Sequence, residues 1–213
     1  MRELQSELEI SYDRVAQHYA DEYFEELKRK PFDQELLDQF AASVHDRGLV
    51  CDLGCGPGQV ARYLRDCGVD VCGIDLSLEM VRCARQLNPD ISFEQGDMLA
   101  LNAPDGSFAG IVSYYAIIHL RREEVPRALR ELHRVLQLGG KLLLAFHGGE
   151  GGFHRDEWYG EPVSIDVTLF EGQEMADYLT EAGFEIERIA QREPYSFEYP
   201  TRRVYVLGRK PLL

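Results

Sequence analysis

The stretch Val50-Cys51-Asp52-Leu53-Gly54-Cys55-Gly56-Pro57-Gly58 decides the fold. A short apolar run ends on a carboxylate, and three glycines follow at alternate positions, a spacing that suits a tight turn between a strand and a helix. In doubly wound sheets such a turn lies at the carboxyl end of the first strand, where nucleotide-like cofactors bind. A dinucleotide fingerprint would need its third glycine at position 59, which is Gln59. Asp52, beside the turn, disfavours a diphosphate and favours a ligand that carries a cation.

Working outward, apolar and β-branched runs alternate with segments of helical period, which predicts strands over 49–53, 69–75, 91–95, 109–114 and 141–147 in a parallel sheet covered on both faces. Val60, Ala61, Leu64 and Cys67 share one helical face closed by Gly68. Ser77 caps a helix whose buried side is Met80, Val81, Ala84 and Leu87, and Val125, Leu129, Leu132 and Leu136 mark another, ended by Gly139-Gly140. The segment HGGEGGFHRDEWYGEP, 147–162, reads as a glycine-rich loop, with a strand at 163–169, a helix at 171–182 and strands at 184–191 and 202–209 behind it. Two helices precede the sheet, 11–29 with Tyr12, Val15, Tyr19, Tyr23 and Leu27 on one face, and 33–46 with Leu36, Leu37, Phe40 and Val44.

Two more carboxylates stand at strand ends. Asp75 leaves the second strand, where an ionised acceptor can take both hydroxyls of a ribose. Asp97 leaves the third and is followed by Met98, a pair able to accept from an adenine amine and to lie against its face. The implied ligand has a cationic part, a ribose and an adenine.

The 213 residues, 45% hydrophobic and 28% charged, suffice for one folded domain. A net charge of −14 opposes binding to nucleic acid and to anionic membranes. No apolar run approaches the ~18 residues of a bilayer span, and the N-terminus lacks the apolar centre of a secretion signal. A cytoplasmic protein without membrane insertion is therefore expected. The five cysteines form no C-x-x-C pair and suggest neither disulfides nor zinc.

These motifs together resemble the class I S-adenosylmethionine-dependent methyltransferases, of the small ubiquinone- and menaquinone-methyltransferase-like type. Asp52 to Gly58 match the family's first motif, GIDLS (73–77) its ribose motif, GDM (96–98) its adenine motif, IVSYYAIIHL (111–120) its fourth-strand motif, and LRELHRVLQLGGKLLLAFH (129–147) the helix and strand that follow. The resemblance implies an α/β, doubly wound Rossmann-like fold. Its seven-stranded, mainly parallel sheet would end in a C-terminal antiparallel hairpin and carry N-terminal lid helices. Residues 1–213 would form a single methyltransferase domain, with a lid at 1–47, a cofactor-binding core at 48–148, and a substrate loop and C-terminal sheet half at 149–213.

The cofactor set implied is Tyr12, Tyr19, Asp52, Gly54, Cys55, Gly56, Gly58, Asp75, Leu76, Met80, Gly96, Asp97, Met98 and Tyr114. S-adenosyl-L-methionine is the implied cofactor, S-adenosyl-L-homocysteine (SAH) its product, and no metal is required. In-line transfer neutralises the sulfonium charge, so positioning should outweigh direct pairing of that cation. A base is needed only when the acceptor arrives protonated, and His119, His147 and Tyr114 are the catalytic candidates. Tyr23, Tyr115, His119, Phe153, His154, Trp158 and Tyr159 are the candidates facing a small-molecule acceptor. One of Tyr114 and Tyr115 should face the site, and strand alternation alone leaves open which. A monomer or homodimer fits. The competing readings are a cofactor-binding regulatory module without turnover and a nicotinamide-dependent oxidoreductase.

Overall fold

The structure, a computed structural model, describes residues 6–212; residues 1–5, the start of the expected lid, and residue 213 lie outside the described residues. Strands β1 (Val50–Leu53), β2 (Val71–Asp75), β3 (Ser92–Gln95), β4 (Phe108–Tyr114), β5 (Leu136–Gly148), β8 (Glu185–Arg192) and β9 (Arg202–Arg209) form one seven-stranded sheet in the order β3-β2-β1-β4-β5-β9-β8. The first five are parallel, while β9 runs antiparallel to both β5 and β8. The order reverses between β1 and β4, which opens a crevice at their carboxyl ends.

Helices cover both faces, which is why β1 is buried at every position. On one side Leu36, Leu37 and Phe40 of α2 (Pro31–Val44) meet Val60 and Leu64 of α3 (Gln59–Asp66) and Val81 of α4 (Leu78–Leu87). On the other, Leu129 and Leu132 of α5 (Val125–Val135) meet Met175 and Leu179 of α6 (Gly172–Glu181). Leu87, expected inside, is 43% exposed, because it lies in the last turn of α4, past the part that the sheet covers. Helix α5 stops at Val135, and Leu136 and the two glycines belong to β5 instead, with Gly139 at a φ of 72°.

The first helix is shorter at one end and longer at the other than its aromatic period predicts. Ser6 accepts from the Glu9 N–H and starts α1 at Glu7; α1 ends at Tyr23, and a separate 3-10 turn covers Glu26–Arg29. The segment read as a loop over 147–162 is mostly strand. β6 (Gly152–Trp158) and β7 (Glu161–Thr168) pair antiparallel as a separate two-stranded sheet, so the strand expected at 163–169 is not part of the main sheet. Tyr159 and Gly160 join them with φ values of 56° and 79°, a two-residue turn in which both residues are left-handed. Tyrosine in place of the usual Asn or Asp, and glycines at 148, 149, 151 and 152, hid the alternation.

The hairpin and α1 close over the crevice as a unit. Ser164 N–H donates to Ser11 Oγ at 2.8 Å, and Arg14 Nη1 donates to Pro162 O at 2.8 Å. Asp13 accepts from Ser77 Oγ at 2.6 Å and from Glu79 N–H at 3.1 Å, which ties α1 to the start of α4.

Candidate functional site

The glycine turn is tied to the neighbouring strand. Gly54 N–H and Cys55 N–H both donate to Ile74 O, at 2.7 and 3.1 Å. Gly54, at φ 72°, lies so close to the chain leaving β4 that an added Cβ would stand 2.1 Å from Ala116 Cβ. Asp75 braces the same turn: Oδ2 accepts from Gly56 N–H at 2.7 Å and Oδ1 from Ser77 N–H at 2.9 Å. Each oxygen keeps a lone pair for a further donor. Burial pushes the Asp75 carboxyl up to about 6, against the two N–H bonds that favour its ionised form.

A cavity of about 760 Å³, counting its open mouth, occupies the crevice. Of the expected cofactor residues, Tyr12, Tyr19, Gly54, Gly56, Asp75, Leu76, Met80, Gly96, Asp97, Met98 and Tyr114 line it. Leu8, Glu9, Leu53, Ser77, Ala116 and Leu120 complete the wall beside Tyr115 and His119. Leu8 and Glu9 escaped the sequence reading because α1 begins a turn earlier than its tyrosines indicate. Asp97 Oδ1 accepts from Leu99 N–H at 2.8 Å, which leaves Oδ2 for another donor. Apolar Leu8, Leu76, Met80 and Met98 with carboxylates at Asp75 and Asp97 suit a nucleoside: flat surfaces for a base, acceptors for hydroxyl and amine donors. Among the described residues, the Tyr114 hydroxyl is buried without a hydrogen-bond partner.

Asp52, Cys55 and Gly58 are not brought to this cavity. Asp52 is 1% exposed and its Oδ2 accepts from Ala61 N–H at 2.9 Å, behind the turn and within the first turn of α3. Gly58, at φ 86°, caps α3 against Asn88 and Phe93, and the Cys55 side chain lies over Gly73. Burial pushes the Asp52 carboxyl up to about 7 from 3.8, with the Asp75 charge adding to it and the Ala61 N–H opposing. The folded state thus retains a proton that the unfolded chain gives up near pH 4, so the contribution of this carboxyl to stability falls as pH rises from about 4 to 7 and is level above, by on the order of 4 kcal/mol. Asp52→Asn keeps an acceptor for Ala61 and abolishes this penalty. The melting temperature of the variant relative to the parent is expected to climb between pH 5.5 and 7.5 and then flatten; a difference independent of pH would contradict the assignment.

A second cavity, about 970 Å³ with its mouth, adjoins the first, and Tyr12, Tyr19, Tyr115 and His119 belong to both walls. Tyr115 reaches both because its φ is 57°, left-handed and rare for an aromatic, which breaks the strand alternation and brings Tyr114 and Tyr115 to the same cavity. Of the expected acceptor residues, Tyr23, Tyr115, His119, Phe153 and Trp158 line the second cavity, as does His147. His154 and Tyr159 do not. Phe153 and Arg155 share the inner face of β6, so His154 points outward to Asp166 at 2.8 Å, and a register shift between Arg155 and Glu157 turns Trp158 inward. Tyr159 stacks on Trp158 and His18, and its hydroxyl donates to Glu22, joining the hairpin to α1. Arg29, Lys30, Arg155, Arg203, Phe197, Glu198 and Tyr199 also line this cavity and were missed; the period-2 pattern of 152–158 was the available signal for Arg155 alone.

The tautomer of His119 follows from its partners. Nδ1 lies 3.0 Å from the Asp166 carbonyl, which can only accept, so Nδ1 carries the proton and Nε2 accepts from the Tyr12 hydroxyl at 2.8 Å. Burial lowers the His119 pKa and keeps the ring neutral near pH 7, the Asp166 carbonyl acting in the opposite direction. Burial, with Arg203 adding to it, takes His147 further, down to about 3.

A family profile described as a methyltransferase domain matches residues 50–140, from β1 into β5. The putative methyltransferase YqeM of Bacillus subtilis is 33% identical over 138 residues, 62% of this chain and 56% of that protein. A malonyl-[acyl-carrier protein] O-methyltransferase of Enterobacter lignolyticus is 33% identical over 132 residues, 62% of this chain and 50% of its own. The chain thus spans about half the length of these curated relatives. Among solved structures, a SAM-dependent methyltransferase from Methanosarcina mazei superposes with a TM-score of 0.70 at 22% identity, over 78% of this chain and 93% of its own. The DhpI-SAH complex superposes with 0.76 at 19% identity, over 96% of each chain. Residues 50–140 thus match a methyltransferase domain, and the chain shares its fold with the solved methyltransferase structures. Among the described residues, no helix is long and apolar enough to cross a membrane.

Proposed function

We propose that the protein transfers a methyl group from S-adenosyl-L-methionine to a small organic acceptor, releasing SAH. The observation that carries this reading is the pair of adjoining cavities with a common wall of Tyr12, Tyr19, Tyr115 and His119. The first suits an adenosyl group and the second an acceptor. We assign the lid to 1–47, the cofactor core to 48–148, and the acceptor hairpin with the last strands to 149–213.

When bound, the cofactor supplies a sulfonium methyl open to in-line attack, which needs no metal. Asp75 would accept from the ribose hydroxyls while it also accepts from the Gly56 and Ser77 N–H groups of the glycine turn and the α4 cap. Asp97 would receive the adenine amine, and Met98, Leu76 and Met80 would offer apolar surface to the ring. Asp52 acts at one remove, as the buried cap of α3 behind the turn. Tyr12 and Tyr19 close the site from the lid, where aromatic faces attract a cation by about 0.5–2 kcal/mol. Tyr114 presents a hydroxyl at the first cavity, and Tyr115 separates donor from acceptor.

A protonated acceptor delivers its proton to His119 Nε2, directly or through the Tyr12 hydroxyl that occupies it. His147 is the weaker base, since a group titrating near 3 holds a proton poorly at neutral pH. His119→Gln is expected to lower kcat by about 10²–10⁴-fold toward an alcohol or phenol acceptor, with the Kd for SAH changed less than threefold. His147→Gln should cost far less. The test is labelled-methyl turnover over alcohols, phenols, amines, thiols and carbon acids. Silence over the whole panel with SAH bound would favour a cofactor-binding module instead.

A further inference from the structure

We infer that the acceptor bears an anionic group, a carboxylate or phosphoryl anion on a flat apolar body, received by Arg29 and Arg155. The inference rests on the methyl-transfer reading and names the substrate class of its second cavity. In a chain of net charge −14, the wall of that cavity carries four cations, Arg29, Lys30, Arg155 and Arg203. Two are already neutralised. Lys30 Nζ lies 2.6 Å from Glu26 and 3.1 Å from Glu198, and Arg203 Nε lies 3.6 Å from Glu198. Glu198 is firmly ionised: burial would raise its pKa, yet hydrogen bonds from Arg192 hold it down at about 2.

Arg29 and Arg155 differ. Among the described residues neither guanidinium has a carboxylate within ion-pair distance; each lies over an aromatic ring instead, Arg29 4.2 Å from the Phe197 centroid and Arg155 4.7 Å from that of Trp158. Both rings line the same cavity, so both planar forks are held at its wall with their N–H donors unspent. The third carboxylate of the wall, Glu22, already accepts from Tyr159. An incoming anion therefore meets, at the wall of this cavity, two cations with no ion-pair partner among the described residues, on a molecule whose distant field repels it. The stacked aromatics Phe153 and Tyr199, with centroids 4.8 Å apart, leave apolar surface for its body.

Trp158 is the sole tryptophan of the chain and reports on this cavity. Fluorescence titrations with saturating SAH present would use phenylacetate, phenylphosphonate and the neutral phenylacetamide. At least one anion is expected to bind ten-fold or more tighter than the amide, with the gap closing as salt is added, and the better anion distinguishes carboxylate from phosphoryl recognition. Arg29→Gln with Arg155→Gln should abolish the preference and the Arg→Lys pair restore part of it, while calorimetry shows the SAH Kd unchanged in every variant. Neither anion exceeding the amide, with SAH still bound, would overturn the anionic acceptor and leave methyl transfer standing. Failure of the parent protein to bind SAH would overturn the underlying reading.

Discussion

Asp75→Ala is expected to weaken SAH binding by two orders of magnitude or more, as read by isothermal titration calorimetry. Hydrogen bonds to a charged group contribute about 1.5–3 kcal/mol each, and a ribose would make two to this carboxylate. The substitution also strips Gly56 N–H and Ser77 N–H of their acceptor, so the turn loses its brace together with the ligand contact. Asp75→Asn separates these effects, because the amide oxygen can still serve one N–H but the charge is gone. It should fall between parent and alanine variant. The carboxyl titrates near 6, so parental affinity should also decline as pH drops from 7.5 to 5, while the Asn variant stays level over that range apart from changes shared with the parent. Parent-like affinity in Asp75→Ala would contradict the ribose assignment.

Gly54→Ala should be the most damaging single-methyl addition in the core. Its Cβ would stand 2.1 Å from Ala116 Cβ, at a φ of 72° that costs an L-residue about 1–2 kcal/mol. Overpacking adds about 1–3 kcal/mol, so roughly 2–5 kcal/mol in all, or about 5–20 °C in melting temperature for a domain of this size. Relief can come only by parting β1 from the segment after β4, which would distort the crevice floor. SAH affinity should therefore fall even at temperatures where the variant is folded. Gly160→Ala is the control. It also has a positive φ, 79°, but among the described residues nothing lies within 4 Å of the added Cβ, so only the conformational cost remains. Equal melting temperatures for the two variants would refute the packing account.

The cofactor half was legible because backbone necessity and chemistry coincide there. A strand, a turn with glycines at 54, 56 and 58, and carboxylates at 75 and 97 are local patterns, and each has one ready physical use. Asp52 shows the limit of that logic. Its position beside the turn suggested a role toward the ligand's charge, yet nothing local reveals that its side chain turns toward Ala61. The acceptor half was less legible because it is assembled from distant segments. Arg29, Arg155 and Arg203 belong to a 3-10 turn, the separate hairpin and the last strand, and only the tertiary fold brings them to one wall. The hairpin itself was obscured by its glycines and by a Tyr-Gly turn that lacks the customary Asn or Asp. Residues 50–140, which the family profile matches, contain most of the first cavity and few residues of the second.

The most direct measurement is a crystal structure grown with saturating SAH. Adenosine is expected in the crevice between β1 and β4, its ribose hydroxyls within hydrogen-bonding distance of Asp75 and its adenine beside Asp97 and Met98. The sulfur should face the wall shared by Tyr115 and His119. Density showing the crevice without a nucleoside, or a dinucleotide bound there in preference when NAD competes, would contradict that placement.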